Sequence, residues 1–221
     1  MSGAIAKFVA GQLGHEPRDL ALFERALTHS SLSRDSYERL EFLGDRVLGL
    51  IIGRWLYERF PAEPEGQLSR RFNVLVARET CAAIGRELGL ANLIRLGKQA
   101  RDDGASDSDN VVGDVVEALI GALLVDGGID RADAFVRRAW APHLDGQARA
   151  PVHAKSALQE LAAARRFKTP AYEILSRSGA HHSPRFTVRV SIGAAGEATA
   201  EGSSKQEAET AAAAALLEQL Q

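Results

Sequence analysis

The chain has 221 residues, 45% hydrophobic and 25% charged, which suits a soluble globular protein of one large domain or two modest ones. A net charge of −2 excludes a globally basic nucleic-acid binder, although a local patch is enough for phosphate contacts. The single Cys81 excludes an internal disulfide and a cysteine zinc site, and no apolar run approaches the roughly 20 residues that span a bilayer.

In chain order, residues 4–13 and 19–27 read as short amphipathic helices, with Asp19 able to cap the second. The start carries one Lys and is too weakly apolar for a secretory leader, so the protein is expected to be soluble and cytoplasmic, with no membrane partner. Ala26 to Ser31 forms a turn that His29 supports. A long helix follows from about Tyr37 to Phe60 and stops at Pro61. Within it, Leu40, Leu43, Val47 and Leu50 recur at helical spacing and predict a buried face.

Glu38, Glu41 and Asp45 recur at i, i+3 and i+7, stacking three carboxylates over about two turns, roughly 10 Å. A solvated acidic face is the ordinary reading of such a row. Three details favour a bound divalent cation instead. Glu41 and Asp45 repel at i, i+4. Arg39 and Arg46 are offset in angle and neutralise the row poorly. Gly44 costs a helix interior about 1 kcal/mol relative to Ala, which suggests close approach of another backbone.

Further helices are expected at 64–77, opened by Pro64-Glu65-Gly66, and at 79–88, closed by Gly89. Residues 98–109 are rich in turn formers and read as a mobile polar loop, after which Asn110 can cap the next helix. That helix, Val111 to Asp126, is apolar nearly all round, yet carries Asp114 and Glu117 at i, i+3. Two acids in so apolar a helix are costly unless paired or metal-bound. A last helix covers about 131–144. Trp55, Trp140 and Cys81 are expected in the core, and His15, His143 and His153 at the surface.

The texture changes after a linker near 145–151. A helix at 154–164, strands at 172–176, 185–192 and 197–202, and an Ala-rich helix at 205–220 capped by Ser203 and Ser204 give an α-β-β-β-α module. Residues 1–150 hold 19 Lys and Arg against 22 Asp and Glu; residues 151–221 hold 8 against 7. The first part can therefore bind cations, and the second is only marginally basic.

Glu38-Arg39-Leu40-Glu41-Phe42-Leu43-Gly44-Asp45 resembles the signature of the ribonuclease III family. Ala26 to Ser31, Glu65-Gly66 and Gly113-Asp114-Val115-Val116-Glu117-Ala118-Leu119-Ile120-Gly121-Ala122 fall in the family's order and spacing, and the tail resembles its double-stranded-RNA-binding domain. The resemblance implies two domains: an all-α endonuclease domain over 1–146 and, after a linker at 147–152, a small α+β RNA-binding domain over 153–221. It implies an Mg2+-dependent endoribonuclease, with Mn2+ as a substitute, that cuts double-stranded RNA as a homodimer formed through the nuclease domain. The products carry 5′-phosphate and 3′-hydroxyl ends with short 3′ overhangs, in rRNA and mRNA processing and in decay.

By motif position, Glu41, Asp45, Asp114 and Glu117 are the implied metal ligands. Asp45 and Glu117 are also taken as catalytic, together with Glu38 and Glu65 at the family's other two acidic positions. The Phe42 stretch and the helix after Asp45 belong to the implied dimer seam. The chemistry suits the residue types, because Mg2+ prefers oxygen ligands and phosphodiester hydrolysis needs charge stabilised on phosphorus. No His lies within either acidic motif, so a metal-bound water is a better nucleophile than a His-activated one.

In the tail, Gln159 and Glu160 suit minor-groove 2′-hydroxyls, and His182 matches the family's minor-groove histidine. Ser204 and Lys205 open a helix that can meet phosphates. Two positions depart from the family. Gln206 stands where a second basic residue is usual, and Arg46 is larger than the common Ser. Two other readings remain at this point: a duplex-RNA-binding protein without catalysis, and a helical phosphohydrolase acting on small nucleotides.

Overall fold

The computed structural model describes residues 2–147, 150–151, 154–178 and 184–220. The chain divides into two units, 1–151 and 152–221.

The first unit is built from helices. Helix α1 (Ser2–Phe8) runs into a π-helical turn at Val9–Leu13, so the single helix expected over 4–13 is two differently wound pieces. Helix α2 (Leu20–Ala26) starts where Asp19 accepts the amide of Ala21 at 3.0 Å. Then come α3 (Glu38–Arg59), α4 (Glu65–Leu75) and α5 (Arg78–Glu87). Gly89, at φ 71°, follows α5 in the left-handed conformation that ends helices.

The segment expected to be a mobile loop is instead largely wound. It holds α6 (Lys98–Asp102) and a 3-10 turn at Ala105–Asp107. Arg86 of α5 ties it down, with Nε donating to Asp107 Oδ1 at 3.0 Å and Nη2 paired to Asp109. Opposite charges supplied from a distant helix are not visible in the local composition of that loop.

The next two helices are α7 (Asp109–Gly127) and α8 (Ile129–Asp145). Asn110 is not the cap of α7. Ser108 occupies that position, and Asn110 lies inside the first turn, accepting from Arg78.

The core lies around α7, where Val112, Val115, Val116, Leu119, Ile120 and Leu123 are all buried. Helix α3 crosses it at very short range. A Cβ on Gly121 would stand 2.2 Å from the carbonyl oxygen of Leu40, and one on Gly44 would stand 1.7 Å from that of Glu117. The close approach expected at Gly44 is therefore a contact between helix backbones. Trp140 is fully buried, its Nε1 donating to the Leu75 carbonyl at 2.7 Å, while Trp55 packs at the core's edge.

The predicted apolar face of α3 is only partly internal. Leu40 and Val47 are buried, but Leu50 is 64% exposed and aligns with Phe42 (65%) and Tyr57 (76%) on the outer side. Periodicity marks a stripe as apolar; it does not say what covers it.

His15, expected at the surface, is buried, and its Nε2 lies 2.6 Å from Asp126 Oδ2. The same carboxylate accepts the amides of Arg18 and Asp19, both at 2.8 Å. Burial pushes the Asp126 carboxyl up, but these donors outweigh it and hold the group below the usual carboxylate range. The entry into α2 is thus fastened to the end of α7. Arg71 is also buried, at 1% exposure. It is held by both oxygens of Glu63 (2.7 and 2.8 Å) and by the Phe60 ring, and it donates to the Gln147 carbonyl at 2.7 Å.

The second unit packs α9 (Ala154–Ala164) and α10 (Lys205–Leu220) against an antiparallel sheet of order β1-β2-β3, with β1 Ala171–Ser178, β2 Arg185–Ser191 and β3 Glu197–Gly202. Register runs Tyr172 to Val190 and Val190 to Ala198, with an irregularity between Ile174 and Ser176. Leu158, Val190, Ile192, Ala212, Ala213 and Leu216 form its core. Ser203 and Ser204 cap α10 as expected. The amide of Glu207 donates to Ser204 Oγ at 3.1 Å, and the Glu207 carboxylate accepts from the amide and hydroxyl of Ser203.

Candidate active site and RNA-binding surface

Helices α3 and α7 bring Glu41, Asp114 and Glu117 into one electrostatic field. The two glycines at the crossing fix the spacing of these helices, so the acids on either side of it meet at the interface edge. Burial raises the pKa of all three. Asp114 and Glu38 raise Glu41 further. Asp114 and Glu41 do the same for Glu117, which is pushed up to about 7.

Two residues that the acidic motifs did not signal shape this cluster. Tyr37, in the last turn before α3, donates its hydroxyl to Asp114 Oδ2 at 3.3 Å. Its own pKa is driven up, by burial first and then by Asp114 and Glu41. Arg78, at the start of α5, opposes the raised values of Glu41, Asp114 and Glu117. Tyr37 could have been found from its place four residues before Glu41. Nothing in the local sequence marks Arg78.

The remaining predicted acids stand apart. Glu38 is exposed at the outer end of the row and reaches the cluster only through its charge on Glu41 and Tyr37. Glu65 is exposed on the first turn of α4, where Ser69 Oγ donates to its Oε1 at 2.6 Å. Asp45 is half-buried, and its carboxylate is paired to the Arg46 guanidinium, which also lies 4.9 Å from the Phe42 ring centre. Arg46, expected to neutralise the row poorly, pairs with Asp45 alone of the three acids. A side chain as long as Arg can fold back to its neighbour despite the angular offset.

Among the described residues, no group of three or more acids, His or Cys has closed into metal-ligating geometry. The cluster is instead a set of hard oxygen donors carried on two crossing helices. Excess negative charge with a carboxyl titrating near 7 is what a divalent cation relieves, so the donor set fits a hard metal ion.

In the second unit, Gln159 and Glu160 are exposed on α9, and Ser204 and Lys205 are exposed at the start of α10. A groove of about 560 Å³ between these helices is lined by Lys155, Ser156, Gln159, Lys205, Gln206 and Glu209. Lys155, which the sequence did not single out, pairs with Glu209 at 2.6 Å, and Lys205 lies 3.7 Å from the same carboxylate. His182 lies outside the described residues, as do His153 and linker residues 148, 149 and 152.

A helical unit with acids converging from two crossing helices, joined to an α-β-β-β-α unit with a groove between its helices, defines a class: a nuclease coupled to a double-stranded-RNA-binding module. The Ribonuclease-III-like family model matches residues 19–144, and the double-stranded RNA binding motif matches residues 154–220. The chain is 59% identical over 215 residues to Ribonuclease 3 of Zymomonas mobilis subsp. mobilis, covering 97% of this chain and 87% of that protein. It is 44% identical to Ribonuclease 3 of Rhodopseudomonas palustris, covering 98% and 81%. A solved nuclease domain of ribonuclease III from Campylobacter jejuni, described as flexible in a region involved in dimer formation, is similar at a TM-score of 0.59 and 33% identity. That match covers 60% of this chain and 94% of the other.

The chain belongs to the ribonuclease III family of metal-dependent nucleases, and it is an endoribonuclease acting on double-stranded RNA. Among the described residues, no helix is long and apolar enough to cross a membrane.

Proposed function

We propose that the enzyme hydrolyses duplex RNA with Mg2+ held by Glu41, Asp45, Asp114 and Glu117, leaving 5′-phosphate and 3′-hydroxyl ends. The observation that carries this reading is the gathering of partly buried acids at the α3–α7 crossing, where Asp114 acts on both Glu41 and Glu117, and Glu41 on Glu117. When bound, a divalent ion supplies charge stabilisation at the phosphate and makes a bound water more acidic.

The protein's own groups do the rest. Tyr37 orients Asp114 through Oδ2. Glu117, with its carboxyl near 7, gives up its proton around neutral pH and becomes a full donor there. Asp45, paired to Arg46 here, would be the fourth carboxylate to hold the ion. Water oxygen bonds to phosphorus and gives up a proton, the bond from phosphorus to the 3′-oxygen breaks, and that oxygen takes a proton. Glu38 and Glu65, both exposed, face the incoming RNA rather than the ion.

Binding of the duplex falls to Gln159, Glu160, Ser204 and Lys205 around the α9–α10 groove, together with His182. The exposed row Phe42, Leu50 and Tyr57 supports a homodimer through the nuclease unit, since a single copy leaves these large apolar side chains in water. An RNA substrate supports a cytoplasmic location. The test is a labelled RNA duplex incubated with the full chain, with and without Mg2+. Cuts only with the ion support the reading, and an intact duplex under every divalent metal refutes it.

A further inference from the structure

Arg78 is a cation at the acidic cluster to which the reading above gives no task. It opens α5 beside the first turn of α7. Its Nη1 donates to Asn110 Oδ1 at 3.0 Å, one helical turn before Asp114. Its stem lies along Gly113, where an added Cβ would stand 3.3 Å from Arg78 Cγ. These two contacts, from residues 110 and 113, hold the guanidinium at the end of α7 that carries Asp114. The residue is exposed, so the held group faces solvent rather than the core.

Its chemistry complements its place. A phosphodiester approaching Glu41, Asp114 and Glu117 meets like charge, and a divalent ion offsets only part of that. A guanidinium stays charged at any working pH and offers planar N–H groups that match two phosphate oxygens at once. Asn110 occupies one of its nitrogens and orients the plane. Neutralising the acids would not require that orientation, because a mobile Lys would serve as well. Receiving a phosphate in a fixed position does require it.

We propose that Arg78 is a phosphate-binding residue of the active site, seated by Asn110 and Gly113 at the rim of the acidic cluster to hold the RNA strand being cut. The proposal rests on the reading of that cluster as the cleavage site.

The test uses the full chain as wild type, Arg78→Lys and Arg78→Ala. Single-turnover cleavage of a labelled duplex is followed across Mg2+ concentration, and duplex binding is followed across salt with Ca2+ in place of Mg2+. Arg78→Ala should slow cleavage at saturating Mg2+ by about 10- to 100-fold, with Arg78→Lys between it and the wild type. The salt slope of binding should fall by about one in Arg78→Ala, the mark of one lost phosphate contact. The Mg2+ concentration giving half the maximal rate should stay within about twofold, since no metal-binding oxygen is removed.

An unchanged rate or an unchanged salt slope overturns the proposal. So does a slow rate that extra Mg2+ restores, because Arg78 would then act on the acids rather than on RNA. Arg78→Lys cutting at the wild-type rate overturns the two-pronged seat. A wild-type chain that leaves the duplex intact defeats the cleavage reading itself and this proposal with it.

Discussion

Gly44 of α3 lies against the backbone of Glu117 on α7, so close that a Cβ on Gly44 would stand 1.7 Å from the Glu117 carbonyl oxygen. The residue that must be small and the residue that carries a candidate ligand are thus one contact apart. Because the obstacle is backbone, no side chain can swing aside to make room. Gly44→Ala should push the two helices apart at a cost of about 3 kcal/mol or more. It should also separate Glu41 from Asp114 and Glu117. Denaturant melts and cleavage rates measured together check this, and a variant as stable and active as wild type would show that the crossing is not fixed there.

The raised pKa of Glu117 has a consequence for stability without metal. The folded-state value of about 7 lies above the ordinary 4.5, so the folded form binds this proton more tightly than the unfolded form does. Its contribution is present in full below about pH 4.5 and is lost as pH rises through 7. Glu117→Gln, which cannot ionise, should therefore be more stable than wild type at pH 8 in EDTA, with the gap closing below pH 5. Partial solvent screening keeps the expected gap to about 1 kcal/mol. Melting curves from pH 4.5 to 8 measure it, and a gap that widens toward acid would reverse the assignment.

Leu50 is out in solvent where its spacing predicted burial. Leu50→Asp should leave the fold of one copy intact, because nothing in the core loses a partner, while placing a charge in the proposed seam. Sedimentation should show a dimeric wild type and a monomeric variant. A variant that stays dimeric moves the seam away from the Phe42, Leu50 and Tyr57 row.

Gln206 lines the α9–α10 groove beside Lys205, whose charge is partly countered by Glu209 at 3.7 Å. Gln206→Lys should tighten duplex binding and steepen its salt dependence by about one unit of slope at most. Titrations of the full chain at several salt concentrations read both quantities, and an unaltered slope would mean that position 206 does not face phosphate.

The helices and strands were legible because their signals are local. Period-two alternation at Phe186, Val188 and Val190 and the caps at Asp19, Ser203 and Ser204 act within a few residues. So does the all-round apolar character of α7; that acids on α3 belong with acids on α7 was implied by the family resemblance and by no local signal. What escaped is set by partners far along the chain. His15 is buried because Asp126 receives it, 111 residues away. Residues 98–109 are wound because Arg86 anchors them, and Arg78 reaches the acids through Asn110, 32 residues on. Leu50 was misplaced for a different reason, since an apolar stripe reads the same whether the core or a second copy covers it.

The central claim, that the acids at the α3–α7 crossing cut the RNA which the second unit helps to hold, is tested most directly on Glu117→Gln. Duplex binding in Ca2+ and cleavage in Mg2+ are measured on the same preparation. The account predicts binding within about threefold of wild type and cleavage reduced on the order of a thousandfold. Cleavage at the wild-type rate, or binding lost together with cleavage, would contradict it.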